Sequence, residues 1–335
     1  MSGSYKILDP RDFADSYDAR HSFALEVLVG LSDSVKSLPS KYLYDTRGSE
    51  LFTRITNLPE YYLTDCESEV LRTYASEIAT LVQGAPFNLV ELGAGTGAKT
   101  KILLEDFHKR KLDFQYVPID ISEGAMKELI EDTGSAFSKT KVNGLVADYF
   151  NGLKWLNNQN QRRNVVLFLG SSIGNFANSE AKFFLRNVWN CLSDGDVALI
   201  GFDLKKDIET LLWAYNDSKG VTAEFNLNLL KRINAELGGQ FDVTKFRHYG
   251  TYNVFTGAME SFLVSMVEQK VYIDMIGRSF GFREWEPIRT EYSFKFLESD
   301  ISALASDTGF DVERMLTDSQ RYFIDSVWKV NKPGK

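Results

Sequence analysis

The chain has 335 residues, 44% of them hydrophobic and 25% charged, with a formal net charge of −8 at pH 7. That composition excludes a disordered segment and fits one large domain carrying an insertion. An acidic chain with no basic run repels phosphate backbones, so no nucleic-acid partner is expected. Cys66 and Cys191 are the only cysteines, too few for a disulfide framework. The N-terminal stretch MSGSYKILDPRDFADSYDAR has no apolar stretch of the signal-peptide kind. No segment reaches the roughly 18 consecutive apolar residues of a membrane span. A reducing cytoplasm and no membrane partner are therefore expected. His21, His108 and His248 are scattered, and no His/Cys cluster has metal-ligand spacing, so no catalytic metal is expected.

From residue 65 the chain alternates. Residues 65–83 have a helical pattern, with Val70, Leu71, Tyr74, Ile78 and Leu81 on one stripe. FNLVEL (87–92) is a short apolar run ending in glycines. Helix-like KTKILLEDFHKR follows, then strand-like DFQYVPID (113–120), helical SEGAMKELIED, and the strands GLVAD (144–148) and NVVLFLG (164–170). Helical AKFFLRNVWNCL precedes DVALIGFDL (196–204). Five alternations predict an α/β fold with a parallel, doubly wound sheet and its ligand at the carboxyl ends of the strands. Residues 207–237 then read as mainly helical. HYGTYNVFTGAMESFLVSMVEQKVYIDM and EWEPIRTEYSFKF read as antiparallel strands, with turns at Gly250, Gly257, Gly277 and Gly281. DISALASDTGF is a helix with a glycine stop, and DVERMLTDSQRYFIDSVWKV is a closing hairpin. The expected division is a core of residues 65–204 plus 291–335 and a second lobe of 1–64 plus 205–290.

VELGAGTGAKT places Gly93, Gly95 and Gly97 where a strand turns into a helix, so backbone can approach a ligand closely. The stretch also satisfies GxGxxA, with Ala98 last, and so suits NAD. Three carboxylates shift the balance: Glu91 inside the strand end, Asp120 at the end of the second strand, and Asp148 at the end of the third. Asp120 is placed to take both ribose hydroxyls, and Asp148 to accept from an adenine amino group. A dinucleotide has no particular use for Asp148. S-adenosylmethionine, with adenine and ribose but no pyrophosphate, uses both. The closing hairpin also resembles the last two strands of class I methyltransferases, whereas a nicotinamide fold usually continues parallel. S-adenosylmethionine, leaving as S-adenosylhomocysteine, is therefore the favoured cofactor over NAD and an oxidoreductase.

Near the C-terminus, RTEYSFKF (289–296) reads as a strand. Alternation puts Thr290, Tyr292, Phe294 and Phe296 on one apolar face and Glu291, Ser293 and Lys295 on the other. Taken alone, that second face suits water as well as it suits a ligand needing both a carboxylate and a hydroxyl.

Taken together, SLPSKYLYDTRGSELFTRITNLPEYYLT, VELGAGTGAKT, LFLGSSIGNF and TEYSFKF resemble the L-histidine Nα-methyltransferases of ergothioneine biosynthesis, from about residue 36 to the end. The resemblance implies a class I methyltransferase core with a Rossmann-like sheet and an inserted substrate-binding lobe, the amino acid lying between the lobes. It implies methylation of the α-amino group of L-histidine, up to the trimethylated betaine hercynine. The wider family includes enzymes acting on tryptophan and other aromatic amino acids. Carried over by motif, Tyr61 of LPEYY contacts the substrate. Asn175 of the IGN motif holds the amine and carboxylate, and Tyr215 of AYND binds the carboxylate. Glu291 and Ser293 hold the imidazole. Gly93, Lys99, Asp120 and the pair Asp148–Tyr149 bind the cofactor. The family's pair is often Asp-Phe, and Tyr149 keeps the ring. A strand position that can carry Met in the family aligns with Ser261 here, with Met259 two residues earlier on the same face. Lys295 is given no role. A monomer acting on a free amino acid is expected.

The chemistry fits those residue types. Methyl transfer from a sulfonium to a neutral amine is an in-line displacement that needs positioning more than acid–base help. Asn175 can accept from an amine and donate to a carboxylate, though an asparagine there also suits an Asx-turn shaping the loop. Tyr61 and Tyr215 supply hydroxyl donors and aromatic walls for a trimethylammonium group; ordinary packing is the plainer reading of Tyr61–Tyr62. A neutral imidazole has one donor and one acceptor nitrogen, which a carboxylate and a hydroxyl on one strand face can read together.

Overall fold

A computed structural model describes residues 3–8, 19–157 and 162–332. The chain folds as two compact units. The first is built on an eight-stranded sheet. Its strands in chain order are β1 (Ser4–Ile7), β2 (Phe87–Leu92), β3 (Phe114–Asp120), β4 (Asn143–Val146), β5 (Arg163–Phe168) and β6 (Val197–Asp203). The chain then supplies β7 (Phe246–Asn253), β8 (Ala258–Ser265), β9 (Gln269–Ile273), β10 (Arg278–Phe282) and β11 (Pro287–Phe294) to the second unit. It returns to the first with β12 (Phe310–Thr317) and β13 (Phe323–Val330).

The order across the large sheet is β1-β4-β3-β2-β5-β6-β13-β12. All neighbours are parallel until β13, which runs antiparallel to both β6 and β12. Strand order reverses between β2 and β5, the place where a doubly wound sheet opens a crevice for ligands. This is the class I methyltransferase sheet expected from the alternation and the closing hairpin, with β1 added at its far edge. Every residue of β2 and of β6 is buried, because helices cover both faces of a parallel sheet. Successive side chains go to opposite layers. Val90, Leu92, Val117, Ile119 and Ile200 join one core with Phe184 and Trp328. Leu89, Tyr116, Val165, Leu167 and Leu199 join the other with Val70, Leu71 and Ile78 of the helix Leu63–Val82.

The second unit packs helices Ala19–Ser32, Thr46–Ile55, Ile208–Tyr215 and Val221–Leu237 with a three-stranded antiparallel sheet, β11-β8-β7, and the hairpin β9–β10. Its core gathers Phe23, Leu51, Phe225, Leu229, Leu263, Phe282 and Ile288. Aspartates fix three of the helix starts. Asp45 accepts from Gly48 N at 2.6 Å, Asp207 from Thr210 N at 3.0 Å, and Asp217 from Val221 N and Thr222 N at 2.9 and 2.7 Å.

Two boundaries differ from the expectation. Ser4–Ile7 pairs with β4 and belongs to the large sheet rather than to the second lobe. The strand β11 pairs with β8, so the second unit runs on to Lys295 and the first resumes at Phe296. The helix Tyr149–Asn157 after β4 is also additional to the sequence reading.

Candidate active site

In the first unit, Gly93, Gly95 and Gly97 all take left-handed backbone, with φ of 73°, 51° and 64°. A side chain at Gly93 would press on the Tyr149 hydroxyl and one at Gly97 on Leu129, while at Gly95 a Cβ would meet nothing within 4 Å. The loop is therefore tight on its protein side and open at its middle glycine, as a cradle for a ligand requires. Asp120 at the end of β3 ties the loop down. Its carboxylate accepts from Gly95 N at 3.2 Å and from Ser122 N at 2.9 Å, which leaves acceptor capacity for hydroxyls. Tyr149 lies beside this loop, and burial together with the charge of Asp120 pushes its phenol up to about 12. Asp148 opens the helix Tyr149–Asn157: it accepts from Phe150 N at 3.1 Å, Asn151 N at 3.0 Å and the Asn151 side chain at 2.5 Å. Three of its roughly four lone-pair sites are thus used locally.

Two buried carboxyls beneath the loop escaped the sequence reading. Glu67 on the helix Leu63–Val82 is fully buried; it forms an ion pair with Lys99 and accepts from Gly170 N at 2.7 Å. Asp325 on β13 is also fully buried, and its carboxyl faces that of Glu67. Burial and the neighbouring charge of Glu67 hold the Asp325 carboxyl well above the usual range. A third, Glu91, is pushed up to about 7 by burial, against the pull of its hydrogen bonds to Tyr116 and Thr100 and the charge of Lys99. A signal existed for Glu67. It sits on the same helical stripe as Leu63, Val70 and Leu71, where a carboxylate must have a partner.

Asn175 ends the 3₁₀ turn Ser172–Asn175 that follows β5. The chain enters that turn through left-handed Gly170 and Ser171, and the Ser171 hydroxyl accepts from Asp203 N at 2.9 Å. The half-buried Asn175 amide makes no hydrogen bond among the described residues, so it is not spent on an Asx-turn and has donor and acceptor to offer.

In the second unit, the rings of Tyr61 and Tyr215 meet edge to face with centroids 6.5 Å apart, and Tyr62 accepts from Lys206 Nζ at 2.8 Å. Tyr215 is the last residue of the helix Ile208–Tyr215. It is fixed from behind by Asn216, whose side chain bonds both Gly250 N and Gly250 O at 2.9 and 3.0 Å. On β11, Glu291 pairs across from Ser261 and Ser293 from Met259, so these four share one face of the sheet.

That face is not the one water takes. Ser293 is 5% exposed and Lys295 2%, whereas Tyr292 and Phe294 on the opposite face are half-buried. Tyr215 donates to Ser293 Oγ at 2.6 Å, and Lys295 Nζ donates to both Ser293 Oγ and Tyr215 Oη at 2.8 Å. Lys295, to which the sequence reading gave no role, therefore sits in the middle of the cluster. Glu291 keeps a partly open surface, yet burial pushes its carboxyl up to about 7, opposed by the charge of Lys295.

The structure thus assembles Gly93, Asp120 and Tyr149 at one loop with Lys99 anchored in the helix that follows, and Tyr61, Tyr215, Glu291 and Ser293 in the second unit. The family model for "Histidine-specific methyltransferase, SAM-dependent" matches residues 23–330. The chain belongs to that family. It is 34% identical to a histidine N-alpha-methyltransferase of Mycolicibacterium smegmatis over 91% of this chain and 93% of the relative. It is 36% identical to the protein of that name from Mycobacterium tuberculosis, over 90% and 93%. Ergothioneine biosynthesis protein 1 of Neurospora crassa is 33% identical over 83% of this chain and 32% of that longer protein. No helix among the described residues of this methyltransferase is long and apolar enough to cross a membrane.

Proposed function

We propose that this methyltransferase transfers methyl groups from S-adenosylmethionine to the α-amino group of L-histidine, ending at the trimethylated betaine, as a step of ergothioneine biosynthesis. The observation that carries the reading is the buried polar face of β11. A partly open carboxylate and a buried hydroxyl stand on one strand face beside a tyrosine, and a carboxylate raised by burial is costly unless something polar uses it. A neutral imidazole presents one N–H and one bare nitrogen, the complement of that pair.

The glycine loop and its carboxylate suit the cofactor: open backbone at Gly95, an acceptor at Asp120 and an aromatic ring at Tyr149. When bound, S-adenosylmethionine supplies an electrophilic methyl group on a sulfonium. In this reading Asp120 takes the ribose hydroxyls, and Asp148 and Tyr149 meet the adenine. Asn175 holds the amine and carboxylate of the amino acid, and Tyr61 and Tyr215 wall the pocket with their rings, the Tyr215 hydroxyl hydrogen being given to Ser293. Each of these groups positions or orients. None is asked to hold a transferred proton: the amine reacts in its neutral form, and the proton left on nitrogen after each of the first two transfers goes to solvent before the next. Orientation of this kind is worth up to roughly 7–11 kcal/mol of barrier.

The test is competition. The enzyme is incubated with S-adenosylmethionine and an equimolar mixture of the twenty amino acids, and the products are read by mass. Histidine gaining one to three methyl increments is expected. Preferential gain by tryptophan or phenylalanine overturns the substrate assignment and leaves the methyl-transfer chemistry in place.

A further inference from the structure

The buried face of β11 holds more than the two residues that read a ring. Resting on that reading, we infer that Lys295 is the positioning residue that makes Ser293 a hydrogen-bond donor toward the substrate, and that the site thereby tells imidazole from indole.

Donors and acceptors around Lys295 leave one arrangement. An ammonium group has three donors and no acceptor. Both oxygens that face it at 2.8 Å, Ser293 Oγ and Tyr215 Oη, must therefore accept. The two hydroxyls also bond each other at 2.6 Å, with the tyrosine donating; a phenol is the stronger acid and so the better donor to a serine. A serine hydroxyl has two lone pairs and one hydrogen. One lone pair of Ser293 is taken by Lys295 and the other by Tyr215. What Ser293 has left is its O–H, and the group it meets must be an acceptor.

Without Lys295 this constraint disappears. Two hydroxyls alone can present either a donor or a lone pair, and would serve an N–H as readily as a bare nitrogen. With Lys295 in place the strand offers an acceptor at Glu291 and a donor at Ser293, two residues apart on one face. An imidazole matches both. An indole has an N–H for Glu291 but no acceptor for Ser293, and a phenyl ring has neither. Lys295 is itself held in place: it is 2% exposed, and its Nζ also lies 4.7 Å from the centre of the Tyr215 ring, a cation–π contact that adds to the hydrogen bonds.

The experiment is a double-mutant cycle in the full chain, read as kcat/KM for L-histidine and for L-tryptophan. Its members are wild type, Lys295→Met, Ser293→Ala and the double variant. Thermal melting and S-adenosylmethionine affinity are measured for each. Lys295→Met should lower kcat/KM for histidine by about 10- to 100-fold, the scale for losing a hydrogen bond that discriminates substrates, and change tryptophan by less than about 3-fold. In the Ser293→Ala background the same substitution should cost histidine clearly less than in wild type; what remains is the loss of the Lys295 charge beside the Glu291 carboxyl, which the N–H of either ring feels. Equal losses on both substrates, or full additivity of the two substitutions, overturns the inference. Lys295→Gln provides a second arm if the methionine variant does not fold. Its amide oxygen can accept from Ser293, so the same loss on histidine is expected, and unchanged selectivity overturns the inference. A wild type without preference for histidine, or a Ser293→Ala variant with unchanged selectivity, overturns the reading of β11 itself; a selective wild type with an additive cycle overturns only the part given to Lys295.

Discussion

Burial lifts the Glu291 carboxyl into the neutral range, and its protonation state should show in substrate choice. Burial raises its carboxyl to about 7. The direction is toward the protonated form, so the carboxylate that accepts a ring N–H appears only as pH rises. For a group titrating near 7, the ionised share is roughly one tenth at pH 6 and nine tenths at pH 8. Histidine recognition through Glu291 should therefore strengthen about 10-fold across that interval. The small neutral share of the α-amine also grows over this range, and the free imidazole titrates near its lower end. Both effects belong to the substrate and act in any variant. The assay is kcat/KM for histidine from pH 6 to 8 in wild type and in Glu291→Gln, whose amide oxygen accepts at every pH. Wild type should show the additional rise of about 10-fold that Glu291→Gln lacks. Parallel profiles would refute the assignment of Glu291 to the ring. The same raised carboxyl stabilises the fold in the protonated state, a contribution fully present below the ordinary carboxylate range and lost as pH passes about 7.

Three further outcomes are expected. Asp120→Ala should weaken S-adenosylmethionine about 10- to 150-fold, the cost of losing hydrogen bonds to a charged group; calorimetry on the folded variant checks it, and unchanged affinity would remove Asp120 from the cofactor site. Asn175→Ala should lower turnover at saturating histidine about 100-fold, the scale for misplacing a reacting atom by an ångström, while cofactor affinity stays near wild type; undiminished turnover contradicts its role at the amine. Asp325→Asn should raise the melting temperature relative to wild type, and more at pH 7 than at pH 4. The wild-type carboxyl is held protonated by burial and by Glu67, and the stability tied to that proton is lost as pH rises through its elevated range. An equal difference at both pH values would mean that Asp325 is not the titrating group.

Much of the first unit was legible because its signals are local. Short apolar runs closing on glycines, alternating with helical stripes, specify a buried parallel sheet without knowledge of what it packs against. Ser4–Ile7 was not legible as a strand, since four residues of mixed polarity acquire that state only by pairing with β4. The terminal strand shows the limit most clearly. Alternation separates Ser293 and Lys295 from Tyr292 and Phe294 as expected, but a bulge at Thr290 buries that residue too, and the strand by itself did not show which face turns inward. Tyr292 and Phe294 suggest a core face, while Ser293 and Lys295 are the buried pair. The partner that makes their burial tolerable is Tyr215, far away in the chain and brought there by the helix Ile208–Tyr215. The Glu67–Asp325 neighbourhood is of the same kind: each residue has an ordinary local context, and only the fold brings the two carboxyls together above Lys99. Residues carried by compact motifs, such as Gly93, Asp120 and Asn175, stand at or just after the strand ends that the alternation predicts. Residues acting through distant partners were not legible in that way.

The measurement that bears most directly on the central claim is the position of the methyl groups in the product. L-histidine is converted with excess S-adenosylmethionine, and the purified product is examined by proton NMR and fragmentation mass spectrometry. Every methyl group is expected on the α-nitrogen with the imidazole unchanged, because β11 holds the ring and presents the opposite end for transfer. Methyl groups on a ring nitrogen would contradict this, since the ring would then be the end offered to the donor and Glu291 and Ser293 could not be its receptors.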